Sequence, residues 1–243
     1  MPLSARALDL PPPYRPVALR EAGDAFAHAT AHASTLGAGS LVFVGRFDLA
    51  EFAVVLEPDE ALAAARRAFY AGMVALADTL AALAPPETSI AIVWPDAVGV
   101  GGGLVGGGRL AWPRDAVEDA RPDWLVFGAV IRLFSMTPRQ AALHPLSTAL
   151  RDEGFGEIGA ERFVEGFARH LMARLDRWCD GDFASLARDY LAKLTRERST
   201  RVAINANGDL RIEQPGVGEV RHDLQSALET SSWLDHRTGG PRW

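Results

Sequence analysis

The sequence predicts an α/β fold of the α+β type, in which a mixed, mainly antiparallel sheet packs against helices and a small β tail follows. Apolar residues recur every three or four positions over 62–83, which indicates a long helix with one buried face. Short β-branched runs lie at 41–45, 51–58, 89–95 and 123–134. With 243 residues, the chain is long enough for a large domain at 1–196 and a small β domain and tail at 197–243.

The first elements follow a short turn-rich arm. An extended segment is predicted around 14–19, and an alanine-rich helix at 21–35 is ended by Gly37 and Gly39. The runs LVFVG (41–45) and EFAVVLEP (51–58) flank the tight connection 46–48, so two neighbouring strands are expected there.

The central elements are a helix, a strand and a glycine-rich hairpin. The helix is expected to open at Asp59 and to end before Pro85-Pro86. A buried strand, SIAIVWP (89–95), precedes VGVGGGLVGGGRLAWP (98–113), whose glycines predict a hairpin. Together with the run DWLVFGAVIRLF (123–134), this region predicts two or three strands with the glycine hairpin between them.

The second half is helical and then changes to short strands. Residues 137–151 are weakly helical and broken by Pro145, whereas 163–178 and 183–194 predict two amphipathic helices separated at Gly181. Alternating apolar residues over 199–224, with turns at 207–208 and 215–216, predict a small β meander that docks on the main domain. Residues 231–243 are expected to be irregular.

Composition excludes several classes of function. A net charge of −6 and a pI near 5.5 offer no basic face for nucleic acid or an anionic membrane surface. No run of about 20 apolar residues exists to span a bilayer, and the N-terminus lacks a secretory apolar core. The single cysteine, Cys179, excludes an internal disulfide and favours a reducing compartment, so we expect a cytoplasmic protein. Lys193 is the only lysine available for any chemistry.

The segment VWPDAVGVGGGLVGGG (93–108) and the order of the elements resemble the biotin/lipoate protein ligase superfamily, in particular a divergent bacterial branch of ligase-like proteins. Biotin ligases carry a KWPND strand followed by KLAGIL, whose lysine grips the acyl carboxylate and the nucleotide phosphate. The helices at 160–194 and the strands at 201–214 resemble the last helices and the small SH3-like domain of these ligases. The resemblance implies a class II synthetase-like catalytic fold from about Leu41 onward.

This chain departs from the family pattern at the charged positions. Val93 replaces the lysine before the tryptophan, Asp96 and Ala97 replace the asparagine and aspartate of WPND, and Gly103 stands at the KLAG lysine. The arginine-glycine loop of the ligases is reduced to VGRFD (44–48), which retains only Arg46. Cys179 lies at a helix end and does not align with the cysteine nucleophile of octanoyltransferases.

The resemblance implies a set of ligand-binding candidates, each of which also has a structural interpretation. Glycines 101–103 and 106–108 cradle a ligand or simply form a turn, and Trp94 lines an acyl pocket or packs in the core. Asp96 hydrogen-bonds a ligand or is a turn residue after Pro95. Arg46 and Arg109 bind phosphate or carboxylate, or are exposed hairpin arginines. The candidate set is Arg46, Trp94, Asp96, Gly102, Gly103, Gly106, Gly107 and Arg109, with no catalytic residue assigned.

No metal site is predicted. His28 and His32 have a spacing that can hold a metal, but no third ligand stands out and the HExxH glutamate is missing, so solvent-facing histidines are expected. No G-x-S-x-G, Walker or Rossmann motif is present.

Two function hypotheses remain open. In the first, the protein binds biotin, lipoate or another carboxylic acid, activates it with ATP and Mg²⁺, and passes it to a lysine of a biotinyl or lipoyl carrier domain. In the second, it is a non-catalytic ligase-like module that binds an acyl ligand or a carrier domain. A pocket formed by Trp94, the 101–108 backbone and Arg46 would favour ligand binding. A homodimer also remains open, because the exposed sheet edge of this fold often pairs with a partner in analogous proteins.

Overall fold

The computed structural model describes residues 8–21, 23–135, 146–180, 182–196, 200–214, 216 and 218–242. Within them, a seven-stranded sheet has the order β1-β2-β3-β7-β6-β5-β4. Only β1 and β2 pair in parallel, and the other neighbours are antiparallel, which confirms the predicted mixed sheet. The strands are β1 (Arg15–Leu19), β2 (Ser40–Val44), β3 (Leu49–Leu56), β4 (Ile90–Val93), β5 (Ala97–Val100), β6 (Gly103–Ala111) and β7 (Leu125–Arg132).

Helices cover both faces of this sheet. They are α1 (Ala25–Leu36), α2 (Leu62–Ala65), α3 (Ala68–Leu83), α4 (Ala160–Asp180), α5 (Phe183–Lys193) and α6 (Leu224–Leu228). Helices α3, α4 and α5 contribute to the main core on one face, which we call the helical face. On the opposite face, α1 packs through small alanines onto β2, β3 and β7.

Alternation along β7 shows how one strand serves two cores. Phe127, Ala129 and Ile131 belong to the core of the helical face, whereas Val126 and Val130 point to the other side. Since successive side chains of a strand point to opposite faces, a strand that is buried on both sides reads as a continuous apolar run. This explains the uninterrupted hydrophobic sequence at 123–134.

The helix predicted to open at Asp59 is instead divided into α2 and α3, and this prediction was wrong at its first turn. The N–H groups of Leu62 and Ala63 are donated to the carbonyls of Ala120 and Glu118 in a neighbouring loop. Arg66 forms a two-bond ion pair with Glu118, at 2.7 and 2.5 Å. These long-range contacts bind α2 to the loop at 118–120, so that α2 and α3 form two separate helices.

The weak helix predicted over 137–151 lies largely outside the described residues, because 136–145 are not among them. The remainder, 146–151, forms turns rather than a helix, so this part of the prediction was wrong. Its backbone runs beside β6, where Thr148 N–H is donated to Leu104 O at 2.9 Å and Leu104 N–H to Leu146 O at 2.8 Å. Pairing with a strand therefore replaces helical hydrogen bonds.

A second, three-stranded antiparallel sheet follows α5, as predicted for the small β tail. Its strands are β8 (Arg201–Ile204), β9 (Leu210–Gln214) and β10 (Gly218–His222). It docks on the main domain where the Tyr70 hydroxyl of α3 donates a hydrogen bond to the Gly208 carbonyl. The boundary between 196 and 197 remains a prediction. Among the described helices, none has the length and apolar character required to cross a membrane.

Candidate functional site

The glycines of β6 allow close approach of other parts of the same chain. A Cβ at Gly106 would lie 1.9 Å from the Val130 carbonyl oxygen of β7, and one at Gly107 would lie 2.0 Å from the Asp96 carbonyl oxygen. A Cβ at Gly103 would lie 2.8 Å from the Thr148 side chain. These distances are far below van der Waals contact, so only glycine fits at the three positions.

Gly102 differs from these three glycines. It lies at the exposed turn between β5 and β6 with φ of 91°, and no heavy atom would lie within 4 Å of its Cβ. Its glycine therefore serves the left-handed turn, which is the structural interpretation of the hairpin.

Residues 231–242, which we call the C-terminal segment, cross the face of the sheet opposite the helical face. The Trp233 side chain is fully buried, and its indole ring lies against Gly107, where a Cβ would be 2.4 Å from the ring. The indole Nε1 donates a hydrogen bond to the Gly108 carbonyl at 3.1 Å. Trp233 thus fills the space beside the glycines of β6.

Asp96 joins the hairpin to the C-terminal segment. Its side chain is 1% exposed and accepts hydrogen bonds from the Ser232 N–H at 3.0 Å and the Ser232 hydroxyl at 2.5 Å. Burial raises the pKa of the Asp96 carboxyl, and the hydrogen bonds from Ser232 oppose this shift. Asp96 is therefore a buried acceptor that already has its donors, and not a simple turn residue.

Arg46 and Glu51 form the centre of a charged cluster at the start of α1. Arg46 donates two hydrogen bonds of 2.8 Å to Asp48, and its Nη1 lies 3.7 Å from the Glu51 carboxylate. Glu51 also accepts the Ala25 N–H at 3.0 Å. Burial raises the pKa of Glu51, and that backbone hydrogen bond opposes the rise. For Asp48, burial acts to raise the pKa, but the hydrogen bonds and charge of Arg46 outweigh it and lower the pKa.

Arg109 lies on the same face as Gly107, two residues along β6. Its guanidinium lies 4.3 Å from the centre of the Phe26 ring, and its Nη2 is 3.8 Å from the Asp24 carboxylate. The Nε of Arg109 is buried and has no hydrogen-bond partner among the described residues. Burial lowers the pKa of Arg109, whereas Asp24 and Glu51 oppose the shift. The guanidinium is therefore a desolvated cation with a donor to spare.

Comparison with known proteins decides the relationship of the chain. The family model described as "Biotin/lipoate A/B protein ligase family" matches residues 10–192. The chain belongs to the biotin/lipoate A/B protein ligase family. A search of curated protein sequences finds no match.

Solved structures agree with membership of this ligase family. A biotin protein ligase-like protein of unknown function from Silicibacter sp. TM1040 is 26% identical, with a TM-score of 0.79, covering 91% of this chain and 99% of that one. The biotin protein ligase of Aquifex aeolicus in complex with biotin and ATP is 12% identical, with a TM-score of 0.66, covering 86% of this chain and 95% of that one. At such identity, the second comparison establishes the fold alone.

Within this ligase-family chain, the structure brings together four of the eight predicted site residues. Arg46, Asp96, Gly107 and Arg109 all face the side of the sheet that carries α1 and the C-terminal segment. Trp94 instead packs with the helical core, 5.5 Å from the His222 ring, and its Nε1 lies 3.5 Å from the Tyr70 hydroxyl. Trp94 therefore does not share a pocket with Arg46.

The only lysine of this ligase-family member also lies elsewhere. Lys193, at the end of α5, forms a 3.0 Å ion pair with Asp78 of α3, which also pairs with Arg174 at 2.5 Å. Asp78 belongs to the helices of the helical face. Lys193 is therefore a partner in a structural ion-pair network, across the sheet from Gly107.

ATP with Mg²⁺ is the cofactor that ligase chemistry implies, and the residues present do not fit it. On the face of Gly107, the positive charges of arginines 46, 109, 132 and 242 are matched by the carboxyl groups of residues 24, 48, 51 and 96. Arg132 already donates hydrogen bonds to Ser147 and to the Pro241 carbonyl. Such a face offers no surplus positive charge for a triphosphate.

Several residues of the site were not predicted from the sequence. Glu51 could have been found, because a carboxylate inside a run of β-branched residues must be buried with partners. Trp233 and Leu234 also gave a signal, since two large apolar residues in an otherwise polar, irregular tail favour docking on a core. Arg132 gave none, because an arginine at a strand end is normally exposed.

Proposed function

We propose that this chain is a binding module on the ligase fold, which recognises a carboxylic acid such as biotin or lipoate and does not activate it with ATP. The observation that carries the proposal is that two of the arginines near the glycine strand, Arg46 and Arg132, are already held by the chain itself. Arg46 is paired with Asp48 and Glu51, and Arg132 with backbone carbonyls and Ser147.

Adenylation requires positive charge at the phosphates, because negative charge develops there as pyrophosphate leaves. In this chain, glycine stands where the family has its lysine, and Lys193 is engaged with Asp78. Freeing Arg46 for a phosphate would leave two carboxylates, Asp48 and Glu51, without their cation. Leaving a buried charge unpaired is costly, so the arrangement disfavours the chemistry of the ligases.

Arg109 supports recognition of a carboxylate. Its side chain is 16% exposed, and its Nε has no hydrogen-bond partner among the described residues. The Asp24 carboxylate is 53% exposed and lies 3.8 Å away, beyond hydrogen-bond distance. Because Nε is buried, a ligand carboxylate reaches only the terminal nitrogens of the guanidinium, where it can form the short, forked hydrogen bonds that Asp24 does not form.

A carrier domain is the macromolecular partner that this proposal includes. A biotinyl or lipoyl group on such a domain presents the same ring as the free acid, but its carboxylate is consumed in the amide bond. Because Arg109 is the expected carboxylate anchor, we expect free acids to bind in preference to carrier-bound groups.

Calorimetric titration of the protein with biotin, lipoate and octanoate, each with and without Mg-ATP, tests the proposal. We expect at least one acid to bind, with an affinity that the nucleotide leaves unchanged. In Arg109→Met, that affinity should fall about tenfold or more, because a charge-assisted hydrogen bond is lost.

The matched control is Arg177→Met, since Arg177 lies on α4 with its side chain 68% exposed. It should bind the acid as the unmodified protein does. Equal binding by Arg109→Met would refute the anchor, and binding strengthened by Mg-ATP would refute the non-adenylating part. No binding of any acid would make a scaffold or partner-binding role the better account.

A further inference from the structure

The C-terminal segment covers the glycine strand β6 at Gly107. Gly107 has no side chain, and the Trp233 ring takes up the space in front of it. Leu49, Ala97, Val130 and Leu234 complete an apolar cluster around this ring. The cluster is separate from the two helix-covered cores and is closed by residues from the end of the chain.

The two groups that receive hydrogen bonds from the Trp233 ring and from Ser232 are both acceptors. The Gly108 carbonyl accepts the indole N–H, and the Asp96 carboxylate accepts the N–H and hydroxyl of Ser232. A buried acceptor that loses its donor costs free energy. Any compound that replaces Trp233 and Ser232 must therefore bring N–H or O–H donors of its own.

The C-terminal segment is held at its two ends and is exposed between them. Near one end, Trp233 and Leu234 are buried; near the other, the Pro241 and Arg242 carbonyls accept hydrogen bonds from Arg132. Residues 236–239 are exposed, and the described part of the segment contains no helix or strand. Opening the segment costs the burial of Trp233 and Leu234 and the hydrogen bonds at both ends, so the open form is a minor state of the unmodified protein.

We propose that Trp233 and Ser232 are a tethered occupant of a ligand site on β6, and that the site accepts a planar ring carrying N–H donors when the C-terminal segment leaves it. The site lies two residues from Arg109, so a ring at Gly107 and a carboxylate at Arg109 belong to one ligand. The placement of ring and carboxylate in one ligand rests on the proposed function, whereas the ring site occupied by Trp233 does not.

Occupation of the site by Trp233 sets the apparent affinity of the protein for a ligand at that site. A ligand that binds only the open form is weakened by the fraction of molecules that are open. Weakening the hold of the C-terminal segment therefore strengthens binding without any new contact to the ligand. The donor requirement also ranks the acids, because biotin carries ureido N–H groups, whereas the rings or chains of lipoate and octanoate carry none.

Titration of the full-length chain with biotin, as unmodified protein and as Trp233→Ala, tests the proposal. We expect Trp233→Ala to bind biotin about tenfold or more tightly than the unmodified protein, with no comparable gain for octanoate. Trp112→Ala is the matched control. Trp112 is half-buried beneath Arg66 and packs with the core of the helical face, across the sheet from Gly107. Trp112→Ala should bind biotin as the unmodified protein does. Equal affinities of Trp233→Ala and unmodified protein would overturn the proposal.

A second arm separates this proposal from the acid-binding function. If neither protein binds biotin, Trp233→Ala is titrated with indole and with 1-methylindole, which lacks the N–H donor. Binding of indole at least several-fold tighter than 1-methylindole supports the ring site, even where carboxylate recognition has failed. Equal binding of indole and 1-methylindole would overturn the ring site.

Ser232→Ala replaces Trp233→Ala if circular dichroism shows that the larger truncation does not fold. Loss of the hydroxyl donor to Asp96 loosens the C-terminal segment while retaining Trp233. Ser232→Ala should also strengthen biotin binding, but only by a few-fold. An unchanged affinity in Ser232→Ala would count against the proposal.

Discussion

Replacing Phe167 with alanine should lower the free energy of unfolding by about 3–5 kcal/mol. The Phe167 ring is fully buried on α4, stacked at 5.7 Å on Phe127 of β7 and tilted at 4.6 Å against Phe52 of β3. It therefore joins the helix to the two central strands, and truncation removes buried area and leaves a cavity between them. Urea unfolding followed by circular dichroism measures the change.

Met172→Ala is the control for that experiment, because Met172 lies on the same helix but is 38% exposed. Met172→Ala should lower the free energy of unfolding by no more than about 1 kcal/mol. If both variants lost similar free energy, α4 would not pack on the sheet through the Phe167 side as described here.

Gly106→Ala is expected to destabilise the protein by about 3 kcal/mol or more. The added Cβ would lie 1.9 Å from the Val130 carbonyl oxygen, and Gly106 has a φ of 155° that other residues rarely adopt. The obstacle is backbone, so no change of rotamer relieves it, and β6 must move away from β7. Thermal and urea unfolding of the variant measure the effect.

Gly45→Ala provides the comparison, because a Cβ at this exposed glycine would have no neighbour nearer than 3.9 Å. Its stability should change by no more than about 0.5 kcal/mol. A Gly106→Ala variant as stable as Gly45→Ala would mean that β6 and β7 do not approach each other as closely as the structure has them.

Local patterns in the sequence were sufficient for most of the fold. The stripe over 62–83 predicts α3, and the β-branched runs predict β2, β3 and β7, because burial periodicity is a local property of helices and strands. The boundary errors arise from long-range contacts. Residues near Arg66 are bound to a loop some 50 positions away through Glu118, which no local pattern reveals.

The candidate site was predictable only in part. The family resemblance named the glycine strand, Arg46, Asp96 and Arg109 as ligand-binding candidates, but it could not say which of them share a face or what covers them. Asp96 and Ser232 are 136 positions apart, so their hydrogen bonds are invisible to reasoning about neighbours in sequence. The glycines likewise signal close approach without saying whether the approaching group is a ligand or Trp233.

The central claim is that this ligase-family chain binds without adenylating, and acid-dependent exchange of labelled pyrophosphate into ATP tests it most directly. The protein is incubated with Mg-ATP and with biotin, lipoate or octanoate in turn. Because Arg46 and Arg132 are held by the chain's own carboxylates and carbonyls, and Lys193 is paired with Asp78, we expect no exchange above the acid-free control. Exchange that appears only when one of the acids is present would contradict the account and show that the chain forms an acyl adenylate.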